Sequence, residues 1–449
     1  MMILPSGYKE RMRRLLGERY DDYIATFDEP PARAFLINTR KISVSEFEAL
    51  FSLPTAPIPY APSARRLLSE DKIGSDPLHA AGLFYMQDPG AMSALSALPE
   101  IGERVLDVAA APGGKTIAAA LSSPDSFIVA NEINFARAKI LLQNVERMGL
   151  DNVAVSSLTP ADFGKYCPET FDTIIADLPC SGEGMFRKEE AARNAWNENI
   201  NAMNAARQKE ILDAVLPSLK KGGTLLYSTC TYAVEEDEAI VDYLIKKHEL
   251  RLLSPKAEIL PFTASGVTEP FGAEFEKTRR FYPHIAAGEG QFFAVLKKEG
   301  ESLTHLRSIP AKVSVNEIKR IRSFLDGHLT AEISSIVKQG ESYYATHPLS
   351  RTVPIRYLSE GVRLGELKGD RFLPHQNLFT AYGDTFLNKE DLSLDDPRLA
   401  SYLYGEEIPA LTAKEGYLAV TVCGHTLGGG KNTDGQIKNH YPKGLRNHK

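Results

Sequence analysis

Between about residue 80 and residue 298, short apolar runs alternate with amphipathic stretches at helical spacing, and this alternation constrains the chain more than any other feature. Strands joined through helices return parallel, with the helices packed on the faces of one sheet. Val105-Leu-Asp-Val-Ala109, Phe127-Ile-Val-Ala-Asn-Glu132, Val153-Ala-Val-Ser156, Phe171 to Asp177 and Gly223 to Thr231 read as the strands. An alanine-rich helix starts at Lys115, and FARAKILLQNVERMG is a second. Each strand runs into a polar or glycine-rich turn, where open α/β sheets bind their ligands. RRFYP and QFFAVLKK flank a glycine-containing connection and read as a hairpin, so the last strand is expected to run antiparallel. The fold class is α/β, with this sheet spanning 76–299.

A chain of 449 residues exceeds what one hydrophobic core can serve, so further units are expected on either side. Residues 1–75 read as an α+β unit. A helix carries Met12, Leu15 and Leu16 on one face, a strand covers Ala34 to Asn38, and Ser43 with Glu46 has capping-box spacing. The four prolines from Pro54 to Pro62 read as a linker. Residues 308–372 form a second small unit opening with the helix VNEIKRIRSFLDG. Residues 375–449 form a third, with an alternating strand at Tyr417 to Val422. Its tail sets Lys431, Lys438, Lys443, Arg446 and Lys449 against the one acid Asp434, which suits phosphates.

With 43% hydrophobic and 24% charged residues the composition is that of a globular protein. A net charge of -6 argues against a general polyanion binder. No apolar run has membrane-spanning length and no leader-like segment opens the chain, so a cytoplasmic protein without membrane contact is expected. The four cysteines are too scattered for a disulfide framework, and the histidines show no metal-binding spacing, so no metal is expected.

LDVAAAPGGKT (106–116) is a strand, a tight turn and a helix start. Gly113 and Gly114 admit close approach of a ligand, and the helix N-terminus offers free N–H groups to a carboxylate or phosphate. A Walker A loop needs glycine where Ala109 stands, and no GxGxxG is present. The turn suits the methionine end of S-adenosylmethionine, with Glu132, at the end of the next strand, accepting from both ribose hydroxyls.

Asp177-Leu-Pro-Cys180 follows the fourth strand and Ser228-Thr-Cys230-Thr231 ends the fifth. If those strands are parallel neighbours, two thiols and a carboxylate share one crevice. Such a trio suits methylation of cytosine at carbon 5, a poor nucleophile until a thiolate adds to carbon 6. An acid at ring nitrogen 3 would stabilise the adduct. Cys167 and Cys423 read as packing residues. A zinc deaminase would need Pro-Cys-x-x-Cys and an upstream His-x-Glu, and both are missing. Chemistry alone does not rank Cys230 above Cys180 as the nucleophile.

In these motifs, together with YMQDPGAM (85–92), DLPCSGEGMFRK, YSTCTY and the terminal GQIKNHYPKGLR, the chain resembles the Nol/Nop/Sun family of RNA 5-methylcytosine methyltransferases. The resemblance covers nearly the whole length. It implies a Rossmann-like class I S-adenosylmethionine methyltransferase sheet, an RNA-binding unit before it and a PUA-like RNA-binding unit at the C-terminus. The implied partner is RNA, most nearly 16S ribosomal RNA, with transfer RNA as the alternative and a monomeric enzyme expected. The implied roles make Cys230 the nucleophile and Cys180 the group that helps break down the adduct. Asp177 contacts the cytosine edge and the cofactor, and Lys115 and Arg137 support the site. Ala109, Ala110, Ala111, Pro112, Gly113, Gly114 and Lys115 cradle the cofactor. Asp162 is the nearest acid to the family's adenine ligand, because Ser156-Ser157-Leu158 stands where the family places an Asn, Asp or Glu. Leu178 replaces a frequent alanine. Tyr417, Tyr441 and the basic tail are the implied RNA contacts. A DNA cytosine methyltransferase and a non-catalytic ribosome-assembly factor are the competing readings.

Overall fold

The computed structural model describes residues 3–442, 444 and 446, apart from 198, 303, 305 and 312. The described strands form four sheets. The first comprises β1 (Arg33–Ile37), β2 (Thr55–Ile58), β3 (Ala61–Leu67) and β4 (Phe84–Met86), in the order β2-β3-β1-β4. The proline-rich stretch expected to be a linker is a hairpin here, with Thr55 opposite Leu67 and Ile58 opposite Ala61. Its prolines are tolerated because β2 is an edge strand, where one row of N–H groups has no ladder partner to lose. The sheet also reaches beyond residue 75, since Phe35 pairs with Met86. Ser43 and Glu46 form the expected capping box.

The central sheet holds β5 (Arg104–Asp107), β6 (Phe127–Asn131), β7 (Val153–Ser156), β8 (Phe171–Asp177), β9 (Leu219–Thr229), β10 (Leu250–Leu252), β11 (Ala264–Ser265), β12 (Arg279–Phe281) and β13 (Gln291–Lys298). Strands β7-β6-β5-β8-β9 run parallel, and β13 closes against β9 in the antiparallel sense. This is the Rossmann-like α/β sheet expected from the alternation, including its reversed last strand. Both faces are covered, so residues along a strand alternate between two cores. Val105, Ile128 and Ile175 join one core, while Leu106, Val129 and Ile174 join the other. The chain moves outward from β5 through β6 to β7 and then crosses back to β8. The C-terminal ends of β5 and β8 therefore flank the crevice of the sheet.

Beyond it come β14 (Ile336–Gln339), β15 (Ser342–Ala345), β16 (Ser359–Glu360), β17 (Val362–Lys368) and β18 (Arg371–Pro374). Four of these make a sheet, β14-β15-β17-β18, while β16 pairs antiparallel with β7 at the far edge of the central sheet. The last sheet contains β19 (Lys389–Leu392), β20 (Ile408–Pro409), β21 (Gly416–Val422), β22 (His425–Thr433) and β23 (Gln436–Asn439). It shares a core with the first sheet, where Phe35, Phe47 and Phe84 meet Tyr402, Leu418 and Val420. Tyr441 is buried and lies 5.7 Å from Tyr402, so it serves this packing and is not offered to RNA. Tyr417 is half-buried. Lys443 and Lys449 of the basic tail fall outside the described residues. Among the described residues no helix is long and apolar enough to cross a membrane.

The two N-terminal helices, Ser6–Leu16 and Tyr20–Ala25, pack on the central unit. Tyr8, Met12 and Tyr23 form a cluster with Phe186, Tyr232 and Tyr282. That cluster lies directly behind the segments carrying Cys180 and Cys230.

Candidate active site

The turn after β5 leads into the helix Gly114–Ser122. Gly113 has φ +121°, a region that side-chain-bearing residues rarely occupy, which is why this turn requires glycine. A cavity of about 330 Å³ opens here, lined by Asp107, Lys115 and Asp177 together with residues of the segments 85–91 and 185–189. Asp107 is buried. Its Oδ2 accepts from the Thr116 hydroxyl at 2.6 Å, while Oδ1 has no partner among the described residues. Burial pushes this carboxyl up to about 7, against the pull of the Thr116 hydrogen bond. Glu132, at the end of β6, is also buried. Its Oε1 accepts from Asn134 N at 2.9 Å, and Oε2 lies 3.2 Å from Arg137 without accepting a hydrogen bond.

Arg137 also donates to the Ala111 carbonyl at 2.9 Å, bracing the turn against β6. Asp107 Oδ1 thus stays open at the end of β5, and Glu132 Oε2, which meets Arg137 but accepts no hydrogen bond, follows the neighbouring strand, with the N–H groups of a helix start close by. That set fits an ammonium, a ribose hydroxyl and a carboxylate, the groups S-adenosylmethionine carries. Asp162 stands elsewhere. It is the third residue of the helix Pro160–Tyr166, and its carboxylate accepts from Thr159 N and Oγ1 at 2.9 and 2.7 Å in a capping box. It lines a separate groove with Leu158, Tyr166 and Ile355. The local demand of a helix N-terminus accounts for this acid.

Asp177 ends β8 directly opposite Ser228 of β9. Lys115 Nζ lies 2.7 Å from its Oδ2, and the Ser228 hydroxyl donates to Oδ1 at 2.7 Å. Gln291 Nε2 reaches the same oxygen at 3.4 Å. Just beyond, the sulfurs of Cys180 and Cys230 are 3.3 Å apart. The hydrogen bond with Cys230 and, after it, burial hold the Cys180 thiol well above the usual thiol range. The parallel register of β8 and β9 therefore brings together the trio singled out in the sequence. Cys167 is buried, and Cys423 lies at the turn between β21 and β22 with φ +49°.

The segment around Cys230 is pinned residue by residue. Thr229 donates to Asp237 at 2.6 Å, and Thr231 meets the Ser181 hydroxyl at 2.7 Å. Buried Glu236 accepts from Ser181 N, Asn201 and Gln208 at 3.0, 2.8 and 3.2 Å. Arg280, with 1% of its side chain exposed, pairs with Glu238 and lies 3.2 Å from Asp237. Arg11 of the first helix pairs with buried Glu183, which also accepts from Trp196 Nε1 at 2.8 Å. Sequence reasoning missed this second layer. Ser228 was within reach, because the register that places Asp177 fixes its partner on β9. Glu236, Asn201, Gln208, Arg280 and Arg11 come from distant segments without a shared motif, so no signal in the sequence groups them.

Fold and site together define a Rossmann-type methyltransferase unit accompanied by three smaller sheets. Family profiles agree. Residues 94–297 match "16S rRNA methyltransferase RsmB/F", 4–89 match the N-terminal domain of 16S rRNA methyltransferase RsmF, and 389–447 match the methyltransferase RsmF PUA domain. The ribosomal RNA small subunit methyltransferase F of Klebsiella pneumoniae is 31% identical over 99% of this chain and 97% of its own length. An Escherichia coli protein of the same name is 36% identical over 66% of this chain and 64% of that protein. Among solved structures, a methyltransferase homolog from Pyrococcus horikoshii superimposes with a TM-score of 0.57. It is 30% identical, covering 66% of this chain and 95% of that one. NSun6 from the same organism gives 0.57 at 21% identity, over 66% of this chain and 99% of its own, a likeness of fold. The chain belongs to the RsmF branch of the 16S rRNA methyltransferase RsmB/F family.

Proposed function

We propose that this protein transfers a methyl group from S-adenosylmethionine to carbon 5 of cytosine in small-subunit ribosomal RNA. The observation that carries the reading is the 3.3 Å contact between the Cys180 and Cys230 thiols beside the Lys115–Asp177 pair. The names of the relatives support the RNA class, and the carboxylates of Asp107 and Glu132, each with an oxygen that accepts no hydrogen bond, support the cofactor. Residues 76–299 carry the chemistry in this reading. Residues 1–75, 308–372 and 375–449 hold the RNA.

Carbon 5 of cytosine attacks a methyl donor only after a nucleophile has added at carbon 6. Cys230 is assigned that addition. Its sulfur bonds to carbon 6, and the electron pair of the 5,6 double bond becomes available at carbon 5. S-adenosylmethionine supplies the methyl group as an electrophile. Asp177, oriented by Lys115 and Ser228, is assigned the contact at ring nitrogen 3, where a shared proton stabilises the added charge. Water takes the carbon 5 proton, the electron pair of that C–H bond restores the 5,6 double bond, and the carbon 6–sulfur bond breaks to expel Cys230 as a thiolate. Cys180, kept as a thiol by its hydrogen bond and by burial, passes a proton to that leaving sulfur.

The test uses the full chain, labelled cofactor and small-subunit ribosomal RNA. Cys180→Ala should accumulate a denaturation-resistant protein–RNA adduct, and Cys230→Ala should form none and transfer no methyl. The opposite pattern reassigns the nucleophile. Absence of any carbon 5 methylation by the parent protein, read by bisulfite sequencing, ends the proposal.

A further inference from the structure

The wall of the cofactor-side cavity contains a neutral acceptor that has no partner among the described residues. Tyr85, Met86, Gln87 and Asp88, from the end of the first sheet, line the cavity together with Lys115 and Asp177. The other buried polar groups there are accounted for. Asp88 accepts from Gly90 N, Glu289 N and Lys188. Asp177 has Lys115, Ser228 and Gln291. Asp107 keeps one oxygen open, on a carboxyl that burial shifts up to about 7 and that an arriving ammonium would draw into its charged form. Gln87 Oε1 is a neutral acceptor, closed to solvent and without a partner among the described residues. A buried acceptor left unpaired is costly, so its retention points to a donor that arrives with a ligand.

The carboxamide is also held in place. Gln87 N donates to the Ala34 carbonyl at 3.1 Å, fixing the backbone to β1. On the other side the amide presses against Gly114, where an added Cβ would sit 2.9 Å from Nε2. A rigid neutral acceptor in this cavity suits a neutral N–H donor better than it suits the cofactor's cation.

Resting on the reading of cytosine as the target base, we infer that Gln87 is a specificity residue, whose Oε1 accepts a hydrogen bond from the exocyclic 4-amino group of the cytosine turned out of the RNA. Uracil presents an oxygen acceptor at that position and would leave two acceptors facing each other. The first sheet thereby contributes a base-reading side chain to the methyltransferase site.

The experiment is a cycle between protein and substrate. Small-subunit ribosomal RNA is assembled by ligation with cytidine, or with the pyrimidin-2-one ribonucleoside that lacks the amino group, at the position mapped by bisulfite sequencing. Parent protein, Gln87→Met and Gln87→Glu are compared by single-turnover methyl transfer and by cofactor binding. The parent should prefer cytidine by about 10–100-fold. Gln87→Met should lose that factor on cytidine and nothing further on the analogue, with cofactor affinity unchanged. Gln87→Glu keeps an acceptor and should keep the preference. Equal losses for Gln87→Met on both RNAs would overturn the inference, as would weakened cofactor binding with the base preference intact. Should Gln87→Met fail to fold, loss of the cytidine preference in the parent's own analogue comparison, or in Gln87→Glu, still overturns it. A parent protein that methylates no cytidine refutes the functional reading instead.

Discussion

Replacing Glu236 with alanine tests whether the two cysteine segments are held as one unit. The Glu236 carboxylate is fully buried and takes hydrogen bonds from Ser181 N, Asn201 and Gln208. Its loss leaves Ser181 N without an acceptor, while Asn201 keeps Ser181 Oγ and Glu183, and Gln208 keeps the Pro179 carbonyl. One orphaned buried donor puts the cost at about 1–3 kcal/mol, toward the upper end because Asn201 and Gln208 each lose one acceptor as well. That is a large part of the roughly 5–15 kcal/mol by which native proteins are stable. Glu236→Gln retains one oxygen, but every partner is a donor, so its NH₂ must meet an N–H group. A cost of about 1–2 kcal/mol follows. Trp196, the one tryptophan, bonds to Glu183 in the adjoining segment and gives a fluorescence readout of denaturant unfolding. The midpoint should fall from parent to Gln to Ala. At a temperature where all three are folded, methyl transfer by the alanine variant should fall at least tenfold, because Ser181 and Thr231 no longer fix the spacing of the thiols. An alanine variant within about 0.5 kcal/mol of the parent, with full turnover, would refute the reasoning.

Asp107 titrates near pH 7 in the folded protein and at the ordinary carboxylate value when unfolded. Between those values the native state binds the extra proton, so this group stabilises the fold at low pH and its contribution is lost as pH rises toward 7. Denaturant titrations from pH 4 to 8 should therefore show a flatter profile for Asp107→Asn than for the parent, and parallel profiles would contradict the assignment. Arg280→Met strands Glu238 and Asp237 in a buried site without their cation, and thermal unfolding should report a loss of about 3–5 kcal/mol. An unchanged transition would show that the cluster is not neutralised by Arg280.

The sheet and its motifs were legible in the sequence because they rest on local rules. Short apolar runs between helical stretches mark β5 to β9, the glycine at 113 marks a turn that requires glycine, and Ser43 with Glu46 marks a helix start. Parallel neighbours then place Asp177, Cys180 and Cys230 at adjoining strand ends without further information. Where a local rule had two outcomes, the sequence misled. The prolines of 54–62 suit a linker or an edge hairpin, and only the presence of β3 beside them selects the hairpin. Asp162 reads in the sequence only as a ligand candidate, and the structure adds its role in the helix cap with Thr159. The second layer of the site, Glu236 with Asn201 and Gln208, Arg280 with Glu238, and Arg11 with Glu183, was decided by tertiary structure alone. Buried charges and donors need partners, and those partners come from whichever distant segment the packing brings within about 3 Å, a choice that no spacing along the chain encodes.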